Sequence, residues 1–270
     1  MRINTIITLG AFQIVLAAAS MSARAAVYLD SQGKDPRQPM TGTEMPWSSI
    51  GLLTMYGKYG DFNCTGTLIG KRLVLTAAHC VTDEKNDDPK NNLLVTKVRF
   101  QPAYKNGKSI DSSTSVDVIA GTLDYLANGA SDWAIIVLKD DLGSKYGFMD
   151  VESNSNLVLP ITVQFASYSE DYKEGDTAGK VDSCQIVETR GDYIGQFNNS
   201  CSADSGASGA ALFRLENGKY TIVSVFTNDA IDDADHEIIT KEYSFSSGNV
   251  GVMTDDLIQA VQAAKLKYDQ

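Results

Sequence analysis

The sequence predicts an all-β protein, built as a barrel or a sandwich, and two observations carry that prediction. Short apolar segments of strand length recur between residues 49 and 253, and clusters of Gly, Asn and Asp separate them. A helical spacing of apolar residues stands out only near the C-terminus. Many short strands with frequent turns and little helix are typical of barrels and sandwiches.

Six strand-like segments make up the first half of the folded region. The apolar pattern begins just after Pro46 and Trp47. The predicted strands cover residues 49–55, 64–69, 73–76, 93–100, 115–120 and 133–138. Residues 82–92 form a charged insertion. Its acidic side chains lack the ligand spacing of a calcium-binding loop, so we expect a solvated loop there.

The strand pattern resumes after a loop-like linker at residues 143–156. The pair Asn217-Gly218 is the signature of a tight β-hairpin. The predicted strands of this half cover residues 157–163, 177–182, 184–188, 210–215, 220–226, 242–245 and 251–253. Thr254 then caps an amphipathic helix, and we expect the helix to pack against this second half.

The N-terminus predicts export. Residues 1–25 combine Arg2, an apolar stretch and the small-x-small motif Ala23-Arg24-Ala25, which are the features of a secretory signal peptide. An uncleaved anchor is the alternative, but the apolar run is shorter than the roughly 20 residues of a spanning helix. Residues 26–45 are mostly polar, and we interpret them as an N-terminal arm or a short pro-segment.

Charge excludes two classes of partner. The 270-residue chain has a formal net charge of −11. Nucleic acids and anionic membranes bind basic surfaces, so neither is an expected partner. After removal of the leader we expect a secreted chain, either extracellular or periplasmic, that is a monomer and does not associate with membranes.

The sequence holds four cysteines, and an even number in an exported chain favours two disulfides. Three pairings are possible in principle. The nearest-neighbour pairing, Cys64–Cys80 with Cys184–Cys201, closes short loops and puts one disulfide in each half. A zinc site is the alternative. The usual CxxC spacing is absent, so we expect no metal.

Three pieces of the sequence together suggest nucleophilic catalysis. His79, one of only two histidines, follows the apolar run at 73–76 and precedes a cysteine. Asp132 stands immediately before an apolar strand, and Ser208 lies in a Gly/Ser-rich loop between Gly206 and Gly209. A serine hydroxyl needs a base, the base needs a carboxylate to fix its tautomer, and the oxyanion needs backbone N–H donors. The chain order His, Asp, Ser is one of the known orders for such a triad.

These motifs resemble those of chymotrypsin-fold (trypsin-like) serine proteases, and most closely the bacterial glutamyl-endopeptidase-like (V8-like) branch. The matching blocks are Cys64-Thr65-Gly66-Thr67-Leu68-Ile69-Gly70, Leu75-Thr76-Ala77-Ala78-His79-Cys80, Asp132-Trp133-Ala134 and Gly206-Ala207-Ser208-Gly209. The resemblance extends from about Trp47 to the C-terminus. It implies two six-stranded antiparallel β-barrels, at residues 46–150 and 151–270, with the active site between them and a C-terminal helix. It also implies a serine endopeptidase that forms an acyl-enzyme on protein or peptide substrates and needs no cofactor.

Two serines compete for the role of nucleophile. Asp204-Ser205-Gly206 imitates the trypsin-like motif, but Ala203 then stands where the oxyanion glycine belongs. Ser208 fits the V8-like pattern Gly-x-Ser-Gly throughout. We therefore expect Ser208 to be the nucleophile, with the N–H groups of Gly206 and Ser208 as the oxyanion hole.

The substrate pocket is the least defined part of the prediction. The resemblance assigns Ser202 and Ala203 to the pocket floor, Gly251 to a wall, and Ser224 or Thr227 to the position that binds the substrate backbone. None of these residues supplies a charge that would select a side chain, and His236 is expected at the surface. The irregular serine loop leaves a second hypothesis, a catalytically inactive, protease-like binding or adhesion module.

Overall fold

The computed structural model describes residues 26–58, 60–83, 92–95, 97–153, 157–191, 194–228, 238–240, 243–244 and 248–270. The predicted leader at 1–25, most of the charged insertion and His236 lie outside these described residues.

Short strands dominate the described chain. In the first half the strands are β1 Ala26–Tyr28, β2 Gln38–Pro39, β3 Ile50–Tyr56, β4 Asp61–Leu68, β5 Leu73–Thr76, β6 Thr82–Asp83, β7 Leu93–Leu94, β8 Lys97–Pro102, β9 Ser113–Ala120 and β10 Ala134–Leu138. The second half contains β11 Asp150–Val151, β12 Ile161–Ser167, β13 Gly179–Thr189, β14 Gln196–Asn199, β15 Ala211–Glu216, β16 Lys219–Asn228, β17 Ile238–Thr240 and β18 Asn249–Val252. The two α-helices are α1 Gly143–Tyr146 and α2 Asp255–Tyr268.

Twelve of these strands form two closed antiparallel rings of six strands each. The first ring runs β10-β5-β4-β3-β8-β9 and closes through β9 and β10. The second runs β16-β15-β12-β13-β14-β18 and closes through β16 and β18. The prediction of two six-stranded antiparallel barrels and a C-terminal helix is therefore confirmed.

Strands β5 and β10 form the wall between the two barrels. They pair antiparallel, with Ala134 opposite Thr76 and Val137 opposite Leu73. One face of the pair, which includes Val74 and Ile136, packs into the first barrel. The other face packs against side chains of the second barrel. Burial on both faces explains why each strand is a continuous apolar run rather than an alternating one.

One long strand replaces two predicted ones in the second barrel. Residues 177–182 and 184–188 are predicted as separate strands because the polar pair Asp182-Ser183 interrupts the apolar pattern. The structure has a single strand, β13, whose register against β12 shifts between Val163 and Phe165. A β-bulge accommodates the exposed polar pair without ending the strand.

Strand β14 was not predicted, because its sequence Gln-Phe-Asn-Asn is polar. Asn199 is nonetheless fully buried, and its amide donates a hydrogen bond to the carbonyl of Asn249, 3.0 Å away. Its side-chain oxygen accepts the N–H of Cys201 at 3.2 Å. Buried polar groups of this kind require hydrogen-bond partners from distant parts of the chain, which a hydrophobicity pattern does not record.

The C-terminal helix packs differently from the expectation. Leu257, Val261 and Ala264 form its buried side. Its nearest strands are β5 and β10 of the first barrel, not strands of the second half. The buried residues of the helix belong to the same hydrophobic cluster as Leu73 and Val137 of these two strands. No helix among the described residues is long and apolar enough to cross a membrane.

The N-terminal cap of α2 gives a test of the helix. The Thr254 hydroxyl accepts the N–H of Leu257 at 3.3 Å. We expect Thr254→Ala to lower the free energy of unfolding by about 1 kcal/mol, measured by chemical denaturation. Thr254→Ser keeps the hydroxyl and should retain most of the stability. Equal losses in the two variants would show that the hydroxyl does not cap the helix.

Candidate active site

His79 stands at the end of the wall between the barrels. Strand β5 ends at Thr76, and His79 begins a single 3₁₀ turn. The next residue, Cys80, forms a disulfide with Cys64 of β4, with a Cα–Cα distance of 6.2 Å. The second disulfide joins Cys184 to Cys201, so the pairing is the nearest-neighbour one. A covalent link beside His79 restricts the backbone that carries the imidazole.

Asp132 is held against His79 by both of its carboxylate oxygens. One oxygen lies 2.8 Å from His79 Nδ1, and the other accepts the backbone N–H of His79 at 2.9 Å. The Asp132 side chain is only 5 % exposed, while that of His79 is 21 % exposed. An ionised carboxylate can only accept, so Nδ1 carries the proton and Nε2 is left as the basic nitrogen.

The β5–β10 pairing explains this contact between residues 53 positions apart. Because Ala134 lies opposite Thr76, the start of β10 and the end of β5 are neighbours. The residues just outside the pairing, Asp132 and His79, therefore meet at the same edge of the wall.

The serine loop, residues 201–210, is hydrogen-bonded to the same edge. The Ser208 carbonyl accepts the N–H of Thr65 at 2.9 Å, and the Thr65 hydroxyl donates to the Gly206 carbonyl at 2.9 Å. Gly209 has φ +82°, and a Cβ there would lie 2.0 Å from Thr76 Oγ1. Ser208 thus sits beside the strand ends that lead into His79, and only a glycine fits at the next position.

Some backbone N–H groups in the serine loop donate hydrogen bonds within the protein, and others do not. Those of Ser205, Ala207, Gly209 and Ala210 donate to acceptors within the fold. Within the described residues, the N–H groups of Gly206 and Ser208 donate to no protein acceptor. Two neighbouring unused donors in a half-buried loop are the arrangement that an oxyanion hole requires.

The other candidate serine has different neighbours. The Ser205 carbonyl accepts the N–H of Glu170 at 2.8 Å, and its own N–H donates to Asp204 Oδ1 at 2.7 Å. These contacts tie Ser205 to the segment after β12, whereas Ser208 is tied to β4 and β5.

Four of the five predicted pocket residues are buried, two of them against the N-terminal strand β1 and two within strands of the second barrel. The Ser202 hydroxyl is 2.9 Å from the carbonyl and 3.0 Å from the N–H of Tyr28, so β1 occupies its hydrogen-bonding capacity. Ala203 is also covered by β1, and its N–H donates to the Ala26 carbonyl. Ser224 donates to Val252, and a Cβ on Gly251 would lie 2.4 Å from Ser224 Oγ.

Thr227 is the predicted pocket residue that faces an open space. It lines a cavity of about 420 Å³ together with Asp132, Tyr125 and other residues of the 125–132 loop. Arg190 and Gln196, from either end of the turn between β13 and β14, also line it. The cavity is large enough for a side chain of a bound peptide and adjoins the His79–Asp132 pair.

The group of metal-capable atoms nearest the site does not form a cation site. Ligand atoms of Cys64, His79 and Cys80 lie within 4.8 Å of one another. Both cysteines are joined in a disulfide, however, so neither offers a thiolate.

Comparison with known proteins assigns the family. A family model for the trypsin-like peptidase domain matches residues 64–221. The chain belongs to this family. Serine protease 23 of Rattus norvegicus and of Homo sapiens are each 27 % identical over 170 residues, which cover 56 % of this chain and 42 % of the relative. The match therefore spans less than half the length of these relatives.

Solved structures give the same fold for this trypsin-like peptidase domain. A Glu endopeptidase in complex with MPD superimposes with a TM-score of 0.67 at 21 % identity, covering 89 % of this chain and all of that one. The protease Anisep from Arthrobacter nicotinovorans gives a TM-score of 0.62 at 19 % identity, over 84 % of this chain and 98 % of its own. At these identities the likeness shows the fold alone.

Two residues of this peptidase domain were missed by sequence reasoning. The ring of Tyr125 lies 5.4 Å from the His79 ring between centroids, at 55°. Thr65 joins β4 to the serine loop and also accepts the N–H of Tyr168 at 2.9 Å. Thr65 belongs to the motif block Cys64-Thr65-Gly66-Thr67-Leu68-Ile69-Gly70, so the sequence did carry a signal for it, although its contact with the serine loop was not predicted. Tyr125 lies in a loop, and no pattern in the sequence marks it.

The contact of Gly209 with β5 can be tested with a matched glycine. Gly209→Ala adds a Cβ 2.0 Å from Thr76 Oγ1 and 2.4 Å from the Thr65 carbonyl. Gly218 has a similar φ of +79°, but nothing lies within 4 Å of its Cβ position. We expect Gly218→Ala to cost about 1–2 kcal/mol of unfolding free energy from backbone strain alone, and Gly209→Ala to cost about 2–5 kcal/mol. Denaturant unfolding measures both, and equal losses would contradict the tight fit of the serine loop.

Proposed function

We propose that this chain is a secreted serine endopeptidase in which Ser208 is the nucleophile, His79 the general base and Asp132 the residue that orients it. The observation that carries the proposal is the His79–Asp132 pair, with both carboxylate oxygens engaged, beside a serine loop in which two N–H groups donate to no acceptor among the described residues. Export is supported by the predicted leader and by the two disulfides, which form in oxidising compartments.

The reaction follows from the roles of these groups. His79 Nε2 accepts the Ser208 hydroxyl proton as Oγ attacks the carbonyl carbon of the scissile peptide bond. The carbonyl oxygen becomes an oxyanion, which accepts hydrogen bonds from the N–H groups of Gly206 and Ser208. His79 then gives the proton to the leaving amine, the C–N bond breaks, and an acyl-enzyme on Ser208 remains. Water, deprotonated by His79, hydrolyses this ester and releases the acid product.

The choice of Ser208 over Ser205 rests on backbone contacts. Ser208 is hydrogen-bonded to Thr65, and the neighbouring Gly209 packs against Thr76 and Ala77, three and two residues before His79. Ser205 is hydrogen-bonded to Glu170 instead. If Ser205 were the nucleophile, the corresponding oxyanion donors would be the N–H groups of Ala203 and Ser205. Both already donate hydrogen bonds, to the Ala26 carbonyl and to Asp204 Oδ1.

Labelling with a fluorophosphonate tests the proposed nucleophile. We expect the label on Ser208, located by peptide mapping, and its loss in Ser208→Ala and His79→Ala. Ser205→Ala is the matched control and should keep the label. Label on Ser205 would overturn the assignment. A folded protein, shown by far-ultraviolet circular dichroism, that neither labels nor cleaves a broad peptide library would favour the inactive binding module.

Removal of the negative charge at Asp132 tests the orientation of the base. An amide in Asp132→Asn can donate to Nδ1 and so favours the wrong imidazole tautomer. We expect kcat to fall by roughly 10⁴-fold with little change in KM. Asp140, whose carboxylate accepts the Ser113 hydroxyl at 2.8 Å near the other end of β10, is the control. Asp140→Asn should leave steady-state kcat within about twofold, and an equal fall in both variants would point to general loss of folding.

A further inference from the structure

Arg37, in the N-terminal arm, has a buried guanidinium that forms ion pairs with two carboxylates, those of Asp35 and Asp171. Its side chain is 3 % exposed. Nη1 donates to Asp171 at 2.8 Å and Nη2 also donates to Asp171, while Nε and Nη2 donate to Asp35 at 3.0 and 2.7 Å. The guanidinium lies 5.1 Å from the centroid of the Tyr172 ring. Two bidentate pairs fix this side chain far more rigidly than a surface ion pair would.

The charge of Arg37 survives its burial. Burial by itself lowers the pKa of the guanidinium, but the hydrogen bonds from Asp171 and Asp35 outweigh it and raise the pKa overall. The two carboxylates therefore face a permanent cation at any pH at which the protein is folded.

Asp171 belongs to the segment that borders the serine loop. The N–H of the preceding residue, Glu170, donates to the Ser205 carbonyl at 2.8 Å. Ser169 Oγ accepts the N–H of Asp204 at 3.3 Å. A Cβ on Gly206 would lie 2.4 Å from the Tyr168 carbonyl, so this segment also packs directly against the proposed oxyanion donor.

The same arm holds the start of the serine loop. The Ala26 carbonyl accepts the N–H of Ala203 at 3.1 Å, and the backbone of Tyr28 engages the Ser202 hydroxyl. Immediately after Arg37 the arm also pairs with the second barrel, through β2 and β13. The arm thus contacts residues 202–203 directly and, through Arg37 and Asp171, holds the segment that contacts residues 204–206.

We propose that Arg37 is a positioning residue. It holds segment 168–172 against the serine loop and so fixes the Gly206 N–H in the oxyanion hole. This inference rests on the proposed function, and it makes the arm at 26–45 a permanent part of the active enzyme rather than a pro-segment that is removed. A purely structural role would anchor the arm without affecting turnover.

Two variants break the link at different points. Arg37→Met removes the cation from both carboxylates, and Asp171→Asn weakens only the contact with segment 168–172 while Asp35 still holds Arg37. Arg72 provides the matched control, because its guanidinium is also partly buried and its Nε donates to the Leu138 carbonyl at 2.8 Å, in the first barrel.

Steady-state kinetics and the rate of fluorophosphonate labelling are measured well below the unfolding temperature of each variant. We expect kcat and the labelling rate to fall roughly 10- to 100-fold in Arg37→Met and less in Asp171→Asn, with KM changed far less, because a displaced donor weakens transition-state binding. Arg37→Lys keeps the positive charge but cannot form the bidentate hydrogen bonds of a guanidinium, so its kcat should lie between those of Arg37→Met and the wild type. Arg72→Met should lower stability without lowering kcat. A lowered melting temperature in Arg37→Met with kcat within twofold of the wild type would overturn the inference.

Hydrogen exchange gives a readout that does not depend on catalysis. We expect faster amide exchange in peptides covering 168–176 and 202–210 in Arg37→Met, and no change there in Arg72→Met. If the wild type proved inactive, the proposed function would fail, and unchanged exchange in these peptides would separately refute the positioning role. Intact mass of the labelled protein is the last check, since an active form that begins after Arg37 would contradict a permanent arm.

Discussion

The antiparallel pairing of β5 with β10 is the constraint on which the site depends. Both strands are buried on both faces, so their register cannot slip without exposing apolar side chains of one barrel or the other. That register places Thr76 opposite Ala134, and the residues just beyond the pair are His79 and Asp132. The contact between imidazole and carboxylate is therefore a consequence of core packing, and not of any affinity between the two loops that carry them.

The serine loop extends this constraint from the first barrel to the second. Ser208 and Gly209 precede β15 of the second barrel, yet they are hydrogen-bonded or packed against Thr65 and Thr76 of the first. A glycine at 209 permits a backbone approach that a Cβ would prevent. Gly206 has φ +89°, and its N–H donates to no acceptor among the described residues. Ser208 and His79, the proposed nucleophile and base, belong to different barrels, and these few contacts fix their relative placement.

The sequence predicted what local pattern and short motifs determine. The apolar run of β5 appears with the bounds that the structure has, and the all-β class with its two barrels is confirmed. Strand β14 was missed because the burial of Asn199 depends on Asn249, fifty residues away. The helix α2 was predicted, but its contacts with β5 and β10 were not. The apolar side of a helix shows that it packs against something, but not against which strands. The remaining gaps in the prediction therefore concern contacts between distant segments.

The N-terminal arm is the clearest case of this limit. Its composition is polar, and a polar segment before a core is easily interpreted as dispensable. The arm contributes through hydrogen bonds and ion pairs instead: Ala26 and Tyr28 contact the start of the serine loop, and Arg37 binds Asp171, in the segment that contacts residues 204–206. Buried charged groups are costly unless they are fully paired, and Arg37 meets that condition with two carboxylates. Buried ion pairs often stabilise a fold no more than apolar contacts of equal volume. The several directed hydrogen bonds of Arg37 nonetheless constrain its orientation. Fixed geometry is what an oxyanion hole needs from the residues around it.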